Sequence, residues 1–314
     1  MHCLRPIKAG FNATGDITFS SKRRDKSIES FQFDCRKCLP CRLNIAREKA
    51  IRCIHEAKMH ENNIFLTLTY DQENLKSDRL IYKDFQLFMK KLRRNTPKDY
   101  DSKHTHIPFM VTGEYGEKTK RPHWHALLFN YKPKDAKHLY TTKHGEKVFD
   151  SVLLSKLWGK GKLEFGSVTI DSAGYVARYA AKKLAHGKDQ DHDYHPIHKT
   201  SSRRAIGRTW IEKYYKHTFE NGFIVLPNGQ TTKIPRYYVD WCKVHKPEIY
   251  TEYVTGRREE IIDKAKMKAR KEELIYLSEM ANTPLGSIRP ITRTKVKETI
   301  LKSRFKRLQE HLKL

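Results

Sequence analysis

Side chains alternate faces along a β-strand, so in the run His123-Trp124-His125-Ala126-Leu127-Leu128-Phe129 the two imidazoles point the same way and Trp124 turns to the opposite layer. Two adjacent imidazoles make half a metal site. Glu114 ends an earlier run of β-formers, Phe109-Met110-Val111-Thr112-Gly113-Glu114-Tyr115, and the polar link Gly116 to Pro122 reads as the loop of an antiparallel hairpin. Folding back through that loop brings the carboxylate towards the His pair. Two imidazoles and one carboxylate with coordination positions left over suit a divalent cation that must also hold a substrate oxygen. Taken alone, the same pair is also the pattern of a half-exposed sheet face.

A second group sits in Tyr175-Val176-Ala177-Arg178-Tyr179-Ala180-Ala181-Lys182-Lys183, where helical spacing lines Tyr175, Tyr179 and Lys182 along one face. Val176, Ala180 and Leu184 supply another face for a core. A phenol with a pKa of about 10 is a weak nucleophile near neutral pH, but a nearby cation favours the phenolate and a metal polarises a phosphate under attack. Core packing with a lysine at the rim is the ordinary use of such spacing. Metal ligands on a strand together with phenols on a later helix are, however, the parts a DNA-nicking transesterase needs.

Cys35, Cys38 and Cys41 follow Cys-x-x-Cys-x-x-Cys spacing, which invites a structural Zn²⁺ with Cys53 or Cys3 as fourth ligand. Reduced thiols leading into a helix are the alternative, and an iron–sulfur cluster would want a further well-spaced Cys and Pro. Ser201-Ser202-Arg203-Arg204 through Arg208-Thr209-Trp210 mixes cations with an indole, a composition that holds phosphates and stacks a base, or that simply makes a solvated loop.

Composition supports a polyanionic partner. The 314 residues carry 63 Lys and Arg against 36 Asp and Glu, a formal charge of +27, with Tyr and Trp interspersed, as nucleic-acid binding requires. The 14 Phe, 16 Tyr and 4 Trp exclude a disordered chain. Six cysteines are too few and too clustered for a disulfide scaffold. No apolar run approaches the ~20 residues needed to span a bilayer, and the opening Met1-His2-Cys3-Leu4-Arg5-Pro6 has no signal-peptide character, so no membrane partner and a cytoplasmic location are expected.

The elements that must position these residues are partly legible. Residues 1–34 are polar and turn-rich and read as a loosely docked arm. Leu43, Ala46, Ala50, Ile54 and Ala57 recur at helical spacing. Ile64 to Tyr70 is a strand with Ile64, Leu66 and Leu68 on one side and Phe65, Thr67 and Thr69 on the other. Phe85, Phe88, Met89 and Leu92 mark a second helix. Beyond the hairpin come a short helix from Ser151 to Trp158 capped by Asp150, a strand from Phe165 to Ile170, a helix from Ala173 to Ala185, a charged loop, and a hairpin turn at Asn228-Gly229. From Lys246 onward, 17 Lys and Arg face 10 Asp and Glu in what read as helices without a core of their own. The fold class expected is α+β, a central antiparallel sheet flanked by helices, with an extra helical C-terminal region.

The order Phe65-Leu66-Thr67-Leu68-Thr69, then His-hydrophobe-His, then a Tyr-x-x-Lys helix resembles the three motifs of rolling-circle replication initiators in the His-hydrophobe-His endonuclease superfamily. Cys35-Arg36-Lys37-Cys38-Leu39-Pro40-Cys41, Gly113-Glu114-Tyr115-Gly116-Glu117 ahead of Arg121-Pro122-His123-Trp124-His125, Ser202-Arg203-Arg204-Ala205-Ile206-Gly207 and Pro235-Arg236-Tyr237-Tyr238 are similar to the replication initiation proteins of gokushovirus-type microviruses. The likeness runs over residues 35–245, giving an arm (1–34), an endonuclease domain with a Cys-rich entry segment (35–245) and a basic helical region (246–314).

That resemblance implies Mg²⁺ or Mn²⁺ held by His123, His125 and Glu114. Tyr175 and Tyr179 would be paired nucleophiles acting alternately, and Lys182 would stabilise phenolate or phosphate. Arg121, Arg178, Lys183, Arg203, Arg204, Arg208 and Trp210 would contact DNA. One departure is Arg178, three residues after Tyr175, so that Tyr-x-x-Lys falls only at Tyr179. Residues 126–130 hold no third His of the relaxase kind, which favours the replication branch. The implied activity is nicking and rejoining of a single strand through a 5′-phosphotyrosine and a free 3′ hydroxyl, in the host cytoplasm. Its partners would be a single-stranded or supercoiled phage origin and the host helicase and polymerase. No phosphate-cradling Gly-x-x-x-x-Gly-Lys loop is present to supply a motor in the chain itself. The alternatives are a non-catalytic, basic, zinc-containing nucleic-acid-binding protein and a transposase with the same nicking chemistry.

Overall fold

The computed structural model describes residues 3–28, 30–96, 106–116, 119–143, 145–169, 172–174, 176, 197–201, 204–227, 229–284, 287 and 290–311. They form two units. The larger comprises residues 41–218 and 223–241, and the smaller comprises the chain up to residue 40 together with 219–222 and 242–314.

In the smaller unit, β1 (Ile7–Phe11) pairs antiparallel with both β2 (Ile17–Thr18) and β3 (Phe31–Phe33). The segment expected to be a loose arm thus holds a small sheet. Its strands are too short and too exposed to show alternation in the sequence, and aromatic contacts between Phe11, Phe31, Phe33 and Phe19 hold them instead.

The larger unit is built on one antiparallel sheet. Helix α1 (Leu39–Ala57) leads into β4 (Asn63–Thr69), then α2 (Tyr82–Asn95), β5 (Phe109–Tyr115) and β6 (Pro122–Phe129). There follow β7 (Lys137–Thr141), β8 (Lys147–Asp150), α3 (Val152–Trp158), β9 (Leu163–Ser167) and β10 (Ile197–Thr200). The seven strands run in the order β10-β5-β6-β4-β9-β8-β7. This is the α+β architecture expected. Alternation along β4 sends Ile64, Leu66 and Leu68 into one core, where they meet Phe85, Phe88, Met89 and Leu92 of α2 and Leu154, Leu157 and Trp158 of α3. The opposite face, through Phe65, Met110, Leu127 and Phe129, packs against Ala46, Ala50, Cys53, Ile54 and Ala57 of α1. Ala173 and Val176 are buried in that second cluster.

Several elements differ from the sequence reading for identifiable reasons. The α3 N-cap is Ser151, whose hydroxyl accepts from Leu154 N at 3.1 Å, while Asp150 stands one residue outside and accepts from Ser151 N and Ser155 Oγ. Strand β7 is exposed at every position and β10 is a polar edge strand, so neither carries an apolar alternation. Residues 208–221 form α4 (Arg208–Asn221) and residues 236–245 form α5 (Arg236–His245), where only motif residues are legible in the sequence. Between them β11 (Ile224–Val225) and β12 (Thr231–Thr232) make the expected hairpin, with Gly229 at φ +77°. The helix expected over 173–185 falls largely outside the described residues.

C-terminal to these, α6 (Pro247–Glu252), a π-helical turn (Tyr253–Arg258) and α7 (Glu259–Ala281) bury no residue, and α8 (Arg293–His311) is linked to α7 by Lys297 and Glu272 at 2.7 Å. Among the described residues no helix is long and apolar enough to cross a membrane.

Gly113 lies directly opposite Trp124 across the β5–β6 ladder. A Cβ there would sit 2.6 Å from the indole and 2.8 Å from Leu80 Cδ2. Gly113→Ala is therefore expected to destabilise the fold by about 1–3 kcal/mol through overpacking, read as a lower urea midpoint; an unchanged midpoint would show that Trp124 can move aside.

Candidate metal centre on the central sheet

Strand β6 is paired on both sides, and the registers fix what surrounds each imidazole. His123 lies between Glu114 on β5 and Thr69 on β4; His125 lies between Thr112 and Thr67. All six residues share one face, because directly paired residues point the same way. Trp124, on the other face, is fully buried and donates its indole N–H to Tyr70 Oη at 2.9 Å, and Tyr70 Oη donates in turn to Asp84 at 3.1 Å. Lys160 reaches the same carboxylate at 3.3 Å. Alternation thus anchors the middle residue of the triplet and turns its neighbours towards the site.

The second set of partners orients the rings. His123 Nδ1 is 3.2 Å from the Arg121 carbonyl, which can only accept, so Nδ1 carries the proton and the lone pair falls on Nε2. That Nε2 lies 4.0 Å from Glu114 Oε2. His125 Nδ1 is 3.0 Å from Thr67 Oγ1, and the ring stacks on Phe65 at 5.7 Å. One ligand atom from each of Glu114, His123 and His125 falls within 4.8 Å of the others. Burial, with the nearby His123 adding to it, pushes the His125 pKa down to about 3; burial also lowers His123, partly offset by its bond to the Arg121 carbonyl. Both imidazoles are therefore neutral at physiological pH, the form that ligates a cation. Thr67 and Phe65 are parts of the site that motif reading passed over, although the alternation of β4 already put them on the His side.

The other expected residues have varied placements. Arg121 is tied down, with Nη1 donating to Gln72 Oε1 and Nη2 to the Tyr70 carbonyl, both at 2.9 Å, which braces the end of β6 against the end of β4. Arg204 is exposed, and Arg208 pairs with Glu212 at 2.7 Å on α4. Trp210 is half-buried and stacks on His55 at 3.6 Å, so one face of its ring is spent on packing. The loop before it is fixed from beneath, since Gly207 N donates to the buried Glu56 carboxylate at 2.6 Å. Tyr175, Arg178, Tyr179, Lys182, Lys183 and Arg203 lie outside the described residues. Cys53 stands apart from the other cysteines named with it. It is buried between α1 and the sheet, 3.7 Å from Met110 Sδ, and burial pushes its pKa up to about 12. The sulfurs that do converge with Cys35, Cys38 and Cys41 include Cys3 instead.

Residues 63–184 match a family described as Replication-associated protein ORF2. The chain is 58% identical over its whole length, and the whole of its relative's, to Replication-associated protein VP4 of Bdellovibrio phage phiMH2K. The chain belongs to the replication-associated proteins of microviruses. Two further relatives are more distant. Replication-associated protein ORF4 of Chlamydia phage 1 is 33% identical over 79% of this chain and 63% of its own length, and Replication-associated protein ORF2 of Spiroplasma virus 4 is 27% identical over 83% and 87%. No solved structure matches the chain. The segment of this replication-associated protein that matches the family begins at β4 and takes in Glu114, His123 and His125 as well as Tyr175, Tyr179 and Lys182.

Because His125 keeps its proton off down to about pH 3 in the folded chain while an unfolded imidazole protonates near 6.5, its contribution to stability is complete above pH 6.5 and drains as pH falls towards 3. Urea unfolding in EDTA should show lower stability near pH 4.5 than at pH 7, and a smaller difference in His125→Gln. The same difference in both proteins would contradict a buried neutral imidazole.

Proposed function

We propose that this chain initiates phage DNA replication by nicking and rejoining one strand at the origin, as a metal-dependent tyrosine transesterase. The observation that carries this reading is the meeting of Glu114, His123 and His125 on one face of β5 and β6. The donor set fits the group: two neutral imidazole nitrogens and a carboxylate oxygen, close enough to share one ion, are ligands suited to Mg²⁺ or Mn²⁺ with positions left for substrate. When bound, such a cation would supply Lewis-acid polarisation of a phosphate oxygen.

The chain's own residues supply the rest. Tyr175 and Tyr179 are the proposed nucleophiles. In support, their helical neighbours Ala173 and Val176 are buried in the cluster that contains Leu127 and Phe129, which share the sheet face of His123 and His125. Lys182 is proposed to favour the phenolate. In the reaction a tyrosine oxygen loses its proton and bonds to phosphorus as the 3′ oxygen leaves and takes up a proton. The 5′ end remains on the protein and the 3′ hydroxyl primes a host polymerase, with a host helicase opening the duplex. Since one phosphodiester replaces another, attack by a 3′ hydroxyl later closes a circle without ATP.

The test is incubation of the full chain with labelled single-stranded origin DNA and Mn²⁺. A covalent protein–DNA adduct sensitive to EDTA is expected. It should vanish in the Tyr175→Phe, Tyr179→Phe double variant. His123→Ala should lower cleavage by about 100-fold or more, while DNA affinity changes by less than about threefold, because affinity rests on Lys and Arg contacts to phosphate. Adducts in the double variant would overturn the nucleophile assignment. Salt-sensitive binding with no adduct from the unaltered chain would favour a binding protein without catalysis.

A further inference from the structure

Cys3 precedes β1, Cys35 and Cys38 follow β3, and Cys41 comes one turn later at the start of α1. None of the four is in a disulfide, and their sulfurs all lie within 4.8 Å of one another. We propose that Cys3, Cys35, Cys38 and Cys41 are the thiolate ligands of one structural zinc ion, separate from the His-carboxylate centre.

The spacing of the sulfurs carries the argument. A tetrahedral site with Zn–S bonds of about 2.3 Å sets its sulfurs about 3.8 Å apart, and Cys3 Sγ is 3.8 Å from Cys38 Sγ. A disulfide would demand about 2.05 Å. The backbone is arranged around thiolate acceptors as well. Cys35 N donates to Cys3 Sγ at 3.2 Å, and Cys38 N donates to Cys35 Sγ at 3.3 Å. Such outer hydrogen bonds orient sulfur ligands and stabilise their charged form. To make the turn between Cys35 and Cys38, Arg36 adopts φ +58°, a left-handed conformation that a residue with a side chain holds only when its surroundings demand it. Zinc with four thiolates carries a charge of −2, and the ligands are interleaved with Arg36, Lys37 and Arg42. Binding would release whatever thiol protons remain. Four sulfur ligands leave no open position, which makes the site structural rather than catalytic. Its effect is to tie residue 3 across 32 residues of chain to Cys35 and to the entrance of α1.

The test is the metal content of the full chain purified without chelator. About one zinc per chain is expected, and it should persist in the His123→Ala, His125→Ala double variant, so that failure of the nicking proposal leaves this result untouched. Cys3→Ser should weaken zinc binding more than about tenfold, and Cys53→Ser should not. Cobalt exchanged for zinc should give the intense sulfur-to-metal absorption of a tetrahedral four-thiolate site. Absence of bound zinc, a disulfide between any of the four, a cobalt spectrum of fewer thiolates, or equal loss in Cys53→Ser would each overturn the proposal; the measurements on the unaltered chain stand even if Cys3→Ser misfolds.

Discussion

The pairing of β6 with strands on both sides is the constraint on which the candidate centre depends. With β5 and β4 each hydrogen-bonded to it, the strand cannot rotate, and its period of two forces consecutive side chains to opposite faces. Trp124 fills the core beneath and sets the phase. A slip of one residue would drive the imidazoles into the aromatic core of α2 and α3 and turn the largest buried side chain to the other face. The chain of Trp124, Tyr70, Asp84 and Lys160, with Gly113 leaving room for the indole, works against such a slip.

The same geometry accounts for the electrostatics. A carboxylate and two imidazoles drawn together under a helix-covered face lose water, which disfavours charge on the rings and leaves them as neutral donors. Hydrogen bonds from their Nδ1 sides, to a backbone carbonyl in one case and to a threonine hydroxyl in the other, orient them from behind. In a chain of charge +27, a small acidic and neutral donor pocket amid cations is suited to holding a divalent ion beside a polyanion.

What is legible in the sequence follows from where the physics is local. Alternation in Ile64 to Thr69 and around His123 survives in a single chain because each strand has one core face to fill, and α2 announces itself through Phe85, Phe88, Met89 and Leu92. Edge strands such as Lys137–Thr141 have no such face, and the pairing that makes them strands comes from neighbours distant in sequence. The same limit applies to side chains. The hairpin brings Glu114 opposite His123, as its short loop requires, but nothing in spacing can choose between Cys3 and Cys53 as companions of Cys35, because that depends on how β1 returns to β3. Trp210 has the composition of a base-stacking residue around it, yet its ring lies on His55, a contact between residues far apart in the chain.

Whether Glu114, His123 and His125 hold one divalent cation decides the reading of the sheet face, and anomalous scattering from crystals soaked in Mn²⁺ answers it. A single strong peak within about 2.0–2.3 Å of Nε2 of both imidazoles and of a Glu114 oxygen is the predicted result. Mn²⁺ found elsewhere, with the rings still bonded through Nδ1 and no density between them, would contradict it.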